Sequence, residues 1–172
     1  ALFKASLVGG ESFTVLTAGL GVDCSFLARR FRRADYVERQ ETLCRLAAHN
    51  FPLLGLDHIR VHHADALEYL REMEPVDCLF LDPARRDSHG GKTVAITECE
   101  PDVCALESLL VEKGRKVMVK LSPMLDMASA LRDLKYIREL HVIAVNNECK
   151  ELTAVLYRMN SVNESSEKEV VI

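Results

Sequence analysis

One short apolar run in this 172-residue chain ends with unusual abruptness. Cys78, Leu79, Phe80 and Leu81 are apolar at every position, and the next two residues are Asp82 and Pro83. A run with no polar alternation reads as a strand buried on both faces, which requires helices over both sides of a largely parallel sheet. Pro83 has no N–H for the ladder, so the strand stops there. The Asp82 carboxylate is thereby delivered to the C-terminal edge of the sheet, with Arg85 and Arg86 close behind. In open α/β sheets that edge is where ligands bind.

The rest of the chain alternates between strand and helix patterns, so the fold class is α/β with a mainly parallel sheet. Phe13 to Thr17 reads as the first strand, followed by the turn Gly19-Leu20-Gly21. Asp23 is a candidate cap for the next helix. The second strand covers Ala34 to Val37 and ends on Glu38, and a helix follows from Glu41 to Asn50. Ile59 to His62 is a third strand, closed by His63, Ala64 and Asp65, with Ala66 to Arg71 helical. Asp87 to Thr93 holds Gly90-Gly91 and reads as a loop. Pro101 opens a helix to Leu110, and Gly114 ends it. Lys116 to Leu121 is the fifth strand, and Leu125 to Leu134 a further helix. Ile137 to Val145 and Leu152 to Arg158 make a closing antiparallel pair joined by Asn146 to Glu151.

The chain length suits one domain. Residues 1–12 read as an N-terminal extension, 13–159 as the main domain and 160–172 as a polar tail or linker. The lack of an initiator Met and the polar end suggest an excised domain of a longer protein. A net charge of −4 gives no general attraction for nucleic acid, so any such contact needs local basic patches or another domain. No apolar run approaches the roughly 20 residues of a membrane span, and the start lacks the pattern of a signal peptide. The six cysteines form no Cys-x-x-Cys pair and no zinc spacing, which reads as a reducing, cytoplasmic setting with no metal.

Four successive strands each end in a distinctive loop. The first carries Thr17-Ala18-Gly19-Leu20-Gly21, whose glycines allow backbone to approach a ligand. The second carries Glu38, about twenty residues on, where an acid can accept both ribose hydroxyls. The third carries Asp65, placed for an adenine amino group, with a cap for the following helix as the alternative. The fourth carries Asp82-Pro83-Ala84-Arg85. This set resembles the class I S-adenosylmethionine-dependent methyltransferases over Phe13 to Arg158. Within them the chain is similar to the bacterial methyltransferases with an appended THUMP-like domain, through Asp-Pro-Ala-Arg-Arg, Lys120 to Asp126 and Asn146 to Leu152.

The resemblance implies a three-layer Rossmann-like methyltransferase fold, with a mostly parallel seven-stranded sheet, an antiparallel last strand and a further module beyond Ser161 to Ile172. It implies S-adenosyl-L-methionine as cofactor, held by Thr17, Gly19, Gly21, Glu38, Asp65, Ala66 and Asp82. Asp82, Pro83 and Lys120 would serve catalysis. Arg85, Arg86, Asn146 and Glu148 would meet the substrate, an RNA such as tRNA or rRNA. The family often has an acid where this chain has Val15, and a glycine where it has Thr17.

Two acceptors suit these residues. An exocyclic amine, the preferred one, could give its hydrogens to Asp82 and the Pro83 carbonyl. A ribose 2′-hydroxyl would use a lysine–aspartate–lysine–glutamate set, with Asp82, Lys120 and Glu148 in similar places and Lys4 as the remaining lysine; it needs a lysine of lowered pKa as base. Carbon methylation needs a thiolate, and strand five ends Leu121-Ser122-Pro123 without one. The competing reading is a partner-binding platform with a degenerate cofactor fold.

Overall fold

The computed structural model of the chain describes residues 1–85, 96, 99–158 and 168–172. Among them the elements run α1 (Leu2–Ser6), β1 (Gly10–Leu16), α2 (Val22–Leu27), β2 (Phe31–Glu38), α3 (Glu41–Leu53), β3 (Ile59–His63), α4 (Ala66–Glu72) and β4 (Val76–Leu81). They continue with β5 (Ala84–Arg85), β6 (Cys99–Glu100), α5 (Val103–Lys113), β7 (Gly114–Leu121), α6 (Met127–Asp133), β8 (Ile137–Val145), β9 (Glu148–Tyr157) and β10 (Glu169–Val171). The predicted Asp87 to Thr93 loop lies outside the described residues.

Eight strands form one sheet in the order β10-β8-β9-β7-β4-β1-β2-β3. β9 runs antiparallel to β7 and β8, while the other pairings are parallel. Seven of these strands are those expected. The eighth, β10, comes from the segment read as a polar linker and pairs in parallel with β8. Its Val170 and Val171 favour an extended backbone, and β8 would otherwise present an open edge there.

Buried side chains fall into two clusters, as the pleat dictates. Phe13 and Val15 of β1 join Cys78 and Phe80 of β4 and Met118 of β7 in one cluster. Leu16, Leu79, Leu81, Val117 and Val119 belong to the other. The unbroken apolar run in β4 is therefore shared between two cores.

Several boundaries depart from expectation for identifiable reasons. The helix expected to start at Asp23 is capped by Gly21, whose φ of 76° is left-handed, and it ends by Leu27 in a short 3₁₀ turn at Ala28–Arg30. Asp102, not Pro101, caps α5 by accepting from Ala105 N at 3.2 Å. Gly114 opens β7 as well as closing the helix. The β8–β9 connection is only Asn146-Asn147, both left-handed at φ 53° and 61°. Asparagine tolerates that conformation and makes a two-residue hairpin turn, so β9 begins three residues after Val145.

Asp77 on β4 fastens the start of β1. Its carboxylate accepts from Glu11 N at 2.8 Å and Ser12 N at 3.1 Å, and the Ser12 hydroxyl lies at 3.3 Å. These bonds, the one from Glu11 first, hold its carboxyl below its usual value, with Arg115 adding a smaller pull. A depressed carboxyl stabilises the fold above the unfolded-state value and loses that contribution as the pH drops through the folded one. Asp77→Ala is expected to cost about 1–2 kcal/mol at neutral pH. In urea unfolding, the difference from wild type should shrink steadily toward pH 3; a pH-independent difference would assign the loss to packing instead.

Candidate active site

The loop after β1 turns in left-handed steps. Thr17 has φ 54°, Gly19 56° and Gly21 76°. A methyl group on Gly21 would meet Phe51 Cζ at 3.0 Å and Tyr36 Cε2 at 3.3 Å, whereas Gly19 faces open space. Thr17 is the exception to the glycine rule, since a β-branched residue in this conformation is strained by about 1–3 kcal/mol. Its hydroxyl answers that strain with a clasp. It accepts from Asp82 N at 3.2 Å, and its one proton faces Leu16 O at 2.5 Å and Asp82 O at 3.1 Å, tying the end of β1 to the end of β4.

Glu38 ends β2 buried, at 6% exposure. Oε2 accepts from Gly19 N at 2.9 Å and Oε1 from Gln40 N at 2.9 Å. The Tyr36 hydroxyl donates to Gly19 O, so both sides of Gly19 are held. A carboxylate has about four lone-pair sites, and each Glu38 oxygen retains one for a further donor. Asp65 caps α4 through Oδ1, from Leu67 N at 2.8 Å and Glu68 N at 3.1 Å.

These groups border one cavity of about 810 Å³ over the C-terminal edge of the sheet. Gly19, Gly21, Glu38, Asp65, Asp82 and Lys120 all line it. Thr17, Ala66 and Pro83 line it too, while Val37, Ala64 and Phe80 supply apolar wall. The volume falls in the roughly 300–1,000 Å³ range of small-molecule sites. The donor set also suits an adenosyl group: a glycine loop with open space, an acid for a diol and apolar surface for a ring.

Asp82 and Lys120 stand where this cavity meets a smaller one. Lys120 Nζ donates to Asp82 Oδ2 at 2.6 Å, and both side chains remain partly exposed. Burial works to lower the Lys120 pKa, but the hydrogen bond and charge of Asp82, with the charges of Asp23 and Glu151, carry it above its ordinary value. The lowered lysine pKa required for a hydroxyl acceptor is therefore not what the structure holds. Asp82, Pro83 and Lys120 are shared with a smaller adjoining cavity of about 200 Å³, walled by Ser122, Pro123, Lys150 and Glu151.

The structure gathers every residue expected at the cofactor and every one expected in catalysis. The expected substrate residues fare differently. Asn146 forms the hairpin turn, and Glu148 is an exposed partner of Lys150 at 2.5 Å; neither lines these cavities. Glu151, three residues further along β9, lines the smaller one instead. Arg86 and the Arg85 side chain lie outside the described residues. Sequence reasoning missed Asp23, which lines the cavity rather than capping a helix, and Leu106 on the opposite wall. The Asp23 signal was its position two residues beyond Gly21; Leu106 carries none, being one apolar residue among many in α5. Cys24 also lines the cavity, but burial and then the Asp23 charge push its thiol up, so it does not offer a thiolate. Among the described residues no group of three or more side chains could hold a metal ion, and no helix is long and apolar enough to cross a membrane.

The arrangement can be set beside known proteins. No family model matches the chain, and no curated protein does. Solved structures match it widely. A candidate methyltransferase from Porphyromonas gingivalis W83 shares 34% identity at a TM-score of 0.81, over 91% of this chain and 39% of that one. The architecture is the class I methyltransferase fold. An rRNA methylase from Streptococcus thermophilus has the same fold at 15% identity and TM-score 0.63, covering 92% of this chain and 93% of its own. A candidate methyltransferase from Streptococcus mutans, solved in complex with S-adenosylhomocysteine, matches at 12% identity and TM-score 0.59, covering 86% and 88%. The chain thus spans about two fifths of the Porphyromonas protein and most of the two streptococcal ones.

The Asp82–Lys120 pair makes its own prediction. Asp82→Asn removes the strongest upward pull on Lys120 and leaves burial to act. The titration of Lys120, followed by the ¹³Cε resonance, should move to lower pH in the variant. An unmoved midpoint would mean that Asp23 and Glu151 hold the ammonium without Asp82.

Proposed function

We propose that this chain binds S-adenosyl-L-methionine in the large cavity and transfers its methyl group to an RNA nucleotide, with an exocyclic amine as acceptor. The observation that carries the reading is a single cavity bordered by Glu38 at one strand end and Asp82 at another. The class I fold of the neighbours supports it, as does the S-adenosylhomocysteine bound to one of them. The RNA part has support from the rRNA methylase neighbour and from the arginines following Asp82 in sequence.

Glu38 would accept the ribose hydroxyls while its backbone-held oxygens keep the glycine loop closed around them. Asp65 and Ala66 would face the adenine. The bound cofactor supplies an electrophilic methyl on sulfur, so the protein's task is to position the nucleophile. Asp82 and the Pro83 carbonyl would accept the two amine hydrogens and aim the lone pair. Lys120 fixes one Asp82 oxygen and leaves the other for that bond. A neutral amine attacks without prior deprotonation and sheds its proton afterwards, which suits a site whose lysine stays charged.

One observation favours the ribose 2′-hydroxyl as a second reading. Lys4, placed in the N-terminal extension by sequence, is bonded to Glu151, so a lysine–aspartate–lysine–glutamate set does converge, with Glu151 in place of Glu148. The raised Lys120 pKa weighs against its serving as base.

Calorimetry with S-adenosylhomocysteine tests the cofactor half. Wild type should bind, and Glu38→Ala should bind more weakly by about 1–3 kcal/mol, the loss expected for a charged acceptor. No heat at millimolar ligand would leave only the platform reading. Asp82→Ala should keep affinity within a few-fold while abolishing transfer. Mass spectrometry of nucleosides, in RNA from cells lacking the gene, should show a missing base-methylated species; a missing 2′-O-methyl species would shift the acceptor to ribose.

A further inference from the structure

Lys4 is 1% exposed, yet it lines neither cavity. A charge buried this deeply is costly unless it is fully partnered. Its Nζ lies 2.7 Å from Glu151 Oε1 and 2.9 Å from Oε2, and 3.0 Å from Asp23 Oδ2. It also stands 5.5 Å from the centre of the Phe80 ring, whose side chain is cavity wall. Its two acids belong to opposite parts of the site. Asp23 on α2 lines the large cavity, and Glu151 on β9 lines the small one. Asp23 Oδ2 is also 3.8 Å from Lys120 Nζ. The charges thus form a chain, Glu151–Lys4–Asp23–Lys120–Asp82.

We infer that Lys4 is the positioning residue of the methyl-transfer end. It occupies Asp23 and Glu151 and so leaves Lys120 to Asp82, and its charge sets the potential where the transferred group sits. Without Lys4, two carboxylates would compete with Asp82 for Lys120, and the site would be more negative by one charge. This rests on the proposed cofactor site and goes beyond it, since it concerns a side chain that touches neither ligand.

Two neutral-or-charged probes read that potential without knowledge of the acceptor. S-adenosylhomocysteine is uncharged at sulfur, whereas sinefungin carries an amine, charged as ammonium, in place of the transferable methyl. Their affinity ratio, measured by calorimetry, reports charge at the transfer point, while a purely structural defect weakens both alike. Lys4→Met should raise the preference for sinefungin by about 3- to 10-fold, as one buried charge removed at this range predicts. Glu151→Gln should lower it by a similar factor, and the double variant should return it toward wild type. If Lys4→Met fails to fold, the Glu151→Gln arm still decides. A ratio unchanged in the variants that fold overturns the inference about Lys4. Absence of S-adenosylhomocysteine binding by wild type is a different failure, because it removes the cofactor site itself and this inference with it.

Discussion

The site exists because β1 is flanked on both sides by parallel partners, β2 and β4. From β1 the chain winds outward to β2 and β3, then crosses back to β4 and β7. Loops leaving β1 and β4 therefore part toward opposite layers, and a crevice opens over the strand ends between them. Glu38, Asp82 and Lys120 reach that crevice from strand ends, Asp65 from a helix cap and Asp23 from the first turn of α2.

Within the crevice, charge is arranged by mutual restraint. Glu38 is held by two backbone N–H groups, Asp82 by Lys120, and Lys4 by two acids. Buried ion pairs gain little net stability because desolvation offsets most of the attraction. Their worth here is geometric. Glu38 commits both oxygens to backbone and Asp82 commits one to Lys120, which fixes the direction in which the remaining lone pairs point. Binding then costs less ordering of side chains.

The strands that build the crevice were legible because they are buried on both faces, and β4 shows this in four consecutive apolar residues. The lining of the large cavity was legible for a related reason: Gly19, Glu38, Asp65 and Asp82 each end or closely follow a recognisable strand, so strand order alone brings them together. The lining of the smaller cavity was not. Glu148 and Glu151 lie in one short polar segment, and the choice between them depends on hairpin register. A two-residue turn at Asn146-Asn147 put Glu151, not Glu148, toward the sheet edge beside Lys4. Lys4 itself sits in five residues of helix with no periodic signal, and its burial follows from partners 19 and 147 residues away. β10 was missed because three residues of strand within a polar segment have no pattern apart from the edge they cover.

The two departures from the methyltransferase pattern weigh the enzyme reading against the platform reading. Val15 stands where the resemblance would put an acid; it is 1% exposed among Phe13, Phe80 and other apolar neighbours and also lines the large cavity, so an apolar side chain forms that part of the wall. Thr17 replaces a glycine at a left-handed position and carries the strain of doing so. A platform that merely displays a surface would gain stability by relaxing that strain, and by replacing buried Lys4 and its two acids with apolar side chains. The chain instead holds these costs in and beside the two adjoining cavities, and the Thr17 clasp uses the strained residue to fix the very backbone that presents Asp82. Stability given up around groups that border a cavity supports the proposed enzyme over the platform, because a surface kept only for contact gains nothing from the strain.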